Sequence, residues 1–183
     1  QNAILSNVMN SYPMFMRMAV IDLNGREVSS VNRVGRVSQA DRMEEEQALK
    51  LIRSMGEYIG PVSRSADGYP QMTLGVPIER IPGRPIGVLL GVVNLLDLSS
   101  FVKDLAIDKK GYVYIIDMAQ KKLVAHPVLD TVLSSDPPEI RAAALVPEDR
   151  ASGALELEQN GNRFLATFAT VRYLNWCVFV QQP

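Results

Sequence analysis

Val20-Ile21-Asp22-Leu23-Asn24-Gly25-Arg26-Glu27-Val28 and Ile115-Ile116-Asp117-Met118-Ala119-Gln120-Lys121-Lys122-Leu123 match in character at most positions. Each runs apolar, Ile, Asp, apolar, two turn residues, basic, variable, apolar. In the first copy Asn24-Gly25 supplies the positive φ angles of a two-residue turn between a β-rich run, Met18 to Leu23, and the alternating segment Arg26 to Val31. That pattern predicts a hairpin, and its return predicts a degenerate internal repeat.

Working outward, Ile4, Leu5, Val8 and Met9 form one helical stripe that Pro13 stops, so residues 1 to 11 read as the end of a longer helix. Ser38-Gln-Ala-Asp41 and Asp41-Arg-Met-Glu44 both fit the capping-box spacing. Met43, Ala48, Leu51, Ile52 and Met55 then mark an amphipathic crossover helix that Gly56 ends. Glu57 to Ser65, Gln71 to Ile78 and Ile86 to Val93 follow as three strands in meander order, separated by turns at Ala66-Asp67-Gly68 and Pro82 to Pro85. Asp97 or Ser99 caps a short helix through Leu105. After Lys109-Lys110-Gly111 the cycle restarts, with Tyr112 to Asp117 and Lys122 to Ala125, a short helix from Glu139 to Leu145, and strands Ala154 to Glu158, Phe164 to Val171 and Trp176 to Val180. An Asn160-Gly161 turn joins the first two of those strands. The expected fold is α+β: two tandem PAS-like modules, each a five-stranded antiparallel sheet with a helix covering one face. The expected boundaries are 1–12 for the helix end, 13–105 for the first module and 106–183 for the second.

Composition agrees with a packed chain. Of the 183 residues, 47% are hydrophobic and 21% charged, which excludes disorder. A net charge of −1, with both signs mixed along the chain, provides no electrostatic footprint for nucleic acid. The longest apolar run, Ile86 to Leu98, is broken by Asn94 and Asp97 and falls short of the ~18 residues that argue for a membrane span. The chain as given is therefore expected to be soluble. It starts at Gln1 rather than Met, so it reads as a processed or excised piece.

Several motifs, taken in order, resemble those of double Cache sensor domains. They are Tyr58-Ile-Gly-Pro-Val62, Gly87-Val-Leu-Leu-Gly-Val-Val-Asn94, Gly111-Tyr-Val-Tyr-Ile-Ile-Asp117, Val124-Ala-His-Pro127 and the final Asn175-Trp-Cys-Val-Phe-Val-Gln-Gln-Pro183. The resemblance implies a periplasmic or extracellular sensor, anchored by two flanking membrane helices, in a histidine kinase, diguanylate cyclase or chemoreceptor. It also implies a small-molecule ligand, an amino acid or other carboxylate, in the membrane-distal module, and it leaves a homodimer open. The rival reading is a ligand-free dimerisation or protein-interaction module. The amino-acid-binding subgroup carries an Arg-x-Trp-Tyr-like motif and an Asp near the end of the fifth strand. Residues 36 to 56 contain no Trp here, and Asn94 stands where that Asp is expected.

The candidate ligand-binding residues are Tyr58, Arg64, Tyr69 and Asn94. An arginine fork suits a carboxylate, a tyrosine closes a pocket while donating one hydrogen bond, and a buried amide needs partners. Strand alternation places Tyr58 and Arg64 on one face, and Asn94 on the side of Val88, Leu90 and Val92. The single histidine, His126, sits where a strand ends and reads as structural, as does the single cysteine, Cys177. One His and one Cys give neither a nucleophile-base pair nor a transition-metal cluster, so no catalytic residue, metal or cofactor is expected. Glu44, Glu45 and Glu46 read as a solvated first helical turn.

Overall fold

The computed structural model describes residues 2–33, 39–105, 111–132, 134, 136–159 and 161–183, with backbone only at 39–42, 44 and 159. In chain order the elements are α1 (Asn2–Ser11), β1 (Phe15–Asp22), β2 (Glu27–Asn32), α2 (Gln39–Met55), β3 (Tyr58–Ile59), β4 (Ser63–Arg64), β5 (Pro70–Ile81), β6 (Arg84–Asn94) and α3 (Leu96–Asp104). They continue with β7 (Tyr112–Asp117), β8 (Lys122–Ala125), α4 (Leu129–Val132), α5 (Ile140–Ala143), β9 (Ser152–Gln159), β10 (Asn162–Val171) and β11 (Trp176–Gln182).

Two separate antiparallel sheets share one order. The first runs β2-β1-β6-β5-β3 with β4 also on β5, and the second runs β8-β7-β11-β10-β9. The third strand of the first sheet is split at Gly60-Pro61-Val62 into two pieces, so that sheet counts six strands rather than the expected five. Pro61 has no N–H to give to a ladder, which breaks regular pairing there. Contacts divide the chain into two compact units, Gln1–Asn94 and Leu95–Pro183. The short helix α3 packs on β7 and β8 and so falls in the second unit, although the sequence placed residues 95–105 with the first module.

The repeated aspartate has the same job in both units. Asp22 Oδ1 accepts the backbone N–H groups of Asn24 (2.8 Å) and Arg26 (2.9 Å), and Asp117 Oδ1 accepts those of Ala119 and Gln120, both at 2.9 Å. These bonds, with Arg26 first, hold the Asp22 carboxyl below its ordinary pKa. The turns differ from the sequence expectation in detail. Of Asn24 and Gly25 only Gly25 is left-handed (φ +82), and in the second copy that conformation falls on Lys121 (φ 52), not on a residue of the Ala119-Gln120 pair. The loop between β1 and β2 spans four residues rather than two, closed by the Gly25 N–H on Asp22 O at 3.0 Å and the Asp22 N–H on Arg26 O at 2.9 Å, and a longer loop needs only one left-handed residue.

Each sheet buries a core against its helices. On one face of the first sheet Ala19, Ile21, Tyr58, Val88 and Leu90 pack with Ala48, Leu49 and Ile52 of α2. Gly75 permits this approach, because a Cβ there would stand 2.5 Å from Ile52 Cδ1 and 2.7 Å from Leu90 Cδ2. On the opposite face Met18 packs with Leu5 and Met9 of α1. The helix α2 ends as expected at left-handed Gly56, whose N–H bonds Ile52 O at 2.9 Å. Its proposed capping boxes involve Ser38 and the side chains of Asp41 and Glu44, which lie outside the described residues; so do Lys109, Lys110 and Asn160. The second core gathers Tyr114, Ile116, Leu123, Phe168, Cys177 and Phe179 beneath Ala142 and Ala143 of α5. Among the described residues no helix is long and apolar enough to cross a membrane.

Candidate ligand site of the first unit

Period-two alternation extends the α2-facing side of the first sheet beyond its apolar core. Arg17 lies opposite Val92, which lies opposite Thr73; Asn94 lies opposite Gln71, which lies opposite Ser63. The face therefore turns from apolar at Ile21, Val88 and Leu90 to polar at Arg17, Thr73, Gln71 and Asn94. Arg17, Gln71 and Thr73 are all buried.

Arg17 organises this region. Its side chain is 9% exposed, its Nη2 donates to Glu27 Oε2 at 2.6 Å, and its Nη1 pairs with Glu45 Oε1 of α2. Glu27 Oε1 in turn accepts the Ser30 hydroxyl at 2.5 Å. Arg17 Nε is buried without a hydrogen-bond partner among the described residues. A guanidinium taken out of water with one donor unmet is costly, so an acceptor brought by a ligand would gain more here than at the surface. Beside it, between the β1–β2 hairpin and α2, opens a cleft of about 420 Å³ lined by Arg17, Ile21, Gly25, Glu27, Glu45 and Leu49. Glu46 also reaches the cleft.

The four residues expected from sequence are dispersed. Tyr58 is buried under α2 in the apolar cluster. It is opposite Gly75, whereas Arg64 is opposite Pro70, five positions or roughly 17 Å along β5 at 3.4 Å per residue. Tyr58 and Arg64 thus belong to two short strands rather than one strand face. Arg64 is exposed; Tyr69 is 44% exposed, and its backbone N–H bonds Ser65 Oγ. Asn94 is half-buried, with its N–H on Met14 O at 2.9 Å and its Nδ2 4.0 Å from Met16 Sδ. None of the four is among the residues that line the Arg17 cleft.

Arg17 is not among the candidates that the sequence offers, and Glu45 stands elsewhere than expected. The signal for Arg17 was present: a lone cation inside the apolar run Met14-Phe-Met-Arg-Met-Ala-Val-Ile21, in the same parity as Ala19 and Ile21. Glu45 is not a solvated first-turn charge. It lies in the second turn of α2, is only 14% exposed and pairs with Arg17.

The second unit holds a buried polar group of its own. Tyr112 donates to Glu139 Oε1 at 3.0 Å, and His126 Nε2 lies 3.6 Å from the same oxygen. Nδ1 of His126 accepts the Val128 N–H at 3.0 Å, and the ring meets Tyr112 edge-on at 5.3 Å. Burial and the neighbouring carboxylate push the Tyr112 hydroxyl pKa far up. Burial also works to raise the Glu139 carboxyl, but His126 together with backbone and Tyr112 hydrogen bonds outweighs it and holds that group below its ordinary range. A depressed folded-state pKa stabilises the protein above the unfolded value near 4.5, and the contribution disappears as pH falls through the folded value. Glu139→Gln should therefore cost about 2 kcal/mol at pH 7. In denaturant melts the gap to wild type should narrow as pH drops below 4.5; a gap that is constant with pH would contradict the assignment.

No curated protein matches this chain in sequence. Solved structures do match its fold. The ligand-binding domain of the Pseudomonas aeruginosa PAO1 amino acid chemoreceptor PctB, in complex with L-Gln, superposes with a TM-score of 0.70 at 18% identity over 98% of this chain and 72% of that one. That of PctC from the same organism, in complex with GABA, gives 0.69 at 19% identity over 93% and 75%. The extracellular domain of mmHK1S-Z3, described as a candidate histidine kinase, gives 0.69 at 13% over 99% and 77%. The dCache_1 family model, described as a Cache domain, matches residues 1–183. Two sheets of one strand order, both built on the repeated Asp-containing hairpin, and a family match that leaves no residue uncovered lead to one conclusion: the chain belongs to the double Cache family of extracytoplasmic sensor domains.

Proposed function

We propose that the first unit binds a small zwitterion in the cleft between the β1–β2 hairpin and α2, and that occupancy of this cleft is the input of a membrane-anchored receptor. The observation that carries this reading is the buried Arg17 with an unmet Nε donor beside a 420 Å³ cleft. A carboxylate would satisfy Nε through a charge-assisted hydrogen bond. The surrounding Glu27, Glu45 and Glu46 would repel a plain anion and attract an ammonium group carried by the same molecule. The structural neighbours in complex with L-Gln and GABA carry ligands of this class. Asn94 and Gln71 lie farther along the same face, outside the lining of the cleft, and Arg64, opposite Pro70, has the other parity. The role of the site is binding rather than turnover: a bound ligand shifts the receptor only by its difference in affinity for two states.

The test is a thermal-shift series on the purified chain with L-amino acids, GABA, simple carboxylates and simple amines. A zwitterion at about 100 times its Kd should add about 2.7 kcal/mol of stability and raise the melting midpoint by several degrees. Stabilisation by carboxylates and amines equal to that by zwitterions would contradict the proposed chemistry, and no shift with any class would contradict the site.

A further inference from the structure

The second unit has a cavity that the first-unit site does not explain. It measures about 840 Å³ and opens where the β7–β8 turn, the segment after α5 and the β10–β11 turn converge. Small-molecule sites occupy about 300–1,000 Å³, so the space is of ligand size. Half-buried Met118 and Trp176 provide an apolar wall, and Lys121, Arg150 and Arg172 stand around it with Glu148 and Asp149. None of these five charged side chains makes an ion pair among the described residues. Three cations against two carboxylates leave one positive charge uncompensated.

The walls of this cavity are fixed rather than loose. Among the described residues, the two non-glycine positions with left-handed backbone, Lys121 (φ 52) and Asn175 (φ 55), both line it. Their turns are tied together by the Met118 N–H on Asn175 O at 2.9 Å, and the first of them by the Asp117 carboxylate. Strained backbone that the surroundings hold in place is concentrated at sites of function, and a preformed cup lowers the ordering cost of binding.

We propose that this cavity is a second ligand site, which takes a monoanion with a flat apolar body, such as an aromatic carboxylate. The indole face and the Met118 thioether accept the ring. A guanidinium of Arg150 or Arg172 takes the carboxylate in its planar fork. Glu148 and Asp149 hold the local charge near plus one, which selects a monoanion over polyanions. The site lies wholly within the second unit and does not depend on the Arg17 cleft.

Trp176 is the only tryptophan of the chain, so its emission reports this cavity directly. Benzoate should change Trp176 emission saturably, and its neutral isostere benzamide should bind at least tenfold more weakly. In the doubly substituted chain Arg150→Gln/Arg172→Gln, whose altered side chains are exposed, benzoate affinity should fall at least tenfold while the melting midpoint stays near that of wild type. Emission that does not respond to benzoate, equal responses to benzoate and benzamide, or an unchanged titration in the double variant would overturn the proposal.

Discussion

Phe179→Ala should destabilise the second unit by about 3–5 kcal/mol, the cost of emptying a fully buried aromatic position. Phe179 has no exposed surface, stacks on Tyr114 at a centroid distance of 5.0 Å and 7° between planes, and lies 6.3 Å from Phe168. It sits on β11, the central strand of its sheet, so the cavity would weaken packing between β7 and β10 at once. Two residues before it lies Cys177, buried, with its thiol pushed up to about 11 by burial and hence inert in the folded chain. Because Cys177 is the only cysteine, its labelling by a thiol reagent measures how often β11 is released. A loss of 3 kcal/mol should speed labelling more than a hundredfold, at tenfold for each 1.4 kcal/mol. An unchanged labelling rate and denaturation midpoint would show that Phe179 does not organise this core.

Arg17→Ala should cost about 3 kcal/mol and abolish ligand stabilisation, because it leaves Glu45 with its side chain 14% exposed and no cation beside it. Stability and binding can then be separated. Arg17→Met/Glu45→Leu removes both charges and keeps the volume, and such replacements of buried ion pairs are often neutral or stabilising. The double variant should melt near wild type yet show no shift with any zwitterion. Recovery of ligand binding in it would remove Arg17 from the site, and failure to recover stability would mean that the ion pair is not what makes the single variant unstable.

The repeat around Asp22 and Asp117 made the architecture readable, since a capped hairpin is a local event that nine residues encode. The broken third strand was less visible. Tyr58 to Ser65 has strand-like composition, and only the missing N–H of Pro61 hints that pairing fails there. The site was harder still. Arg64, Tyr69 and Asn94 stand out in the sequence as polar residues near turns and strand ends, yet it is the buried Arg17 that lines the cleft, and its pairing depends on Glu45 on a helix far along the chain. Side-chain pairs across elements follow from tertiary packing, which periodicity within one element cannot specify. The His126, Glu139 and Tyr112 group illustrates the same limit: each residue lies in a different segment and only the folded sheet brings them together.

The most direct measurement is a crystal structure of this chain grown with the zwitterion that stabilises it best. Density is expected in the cleft between the β1–β2 hairpin and α2, with a ligand carboxylate within about 3 Å of Arg17 Nε and its ammonium facing Glu45 or Glu46. A ligand seated elsewhere in the first unit, with Arg17 bonded only to Glu27 and Glu45, would contradict it.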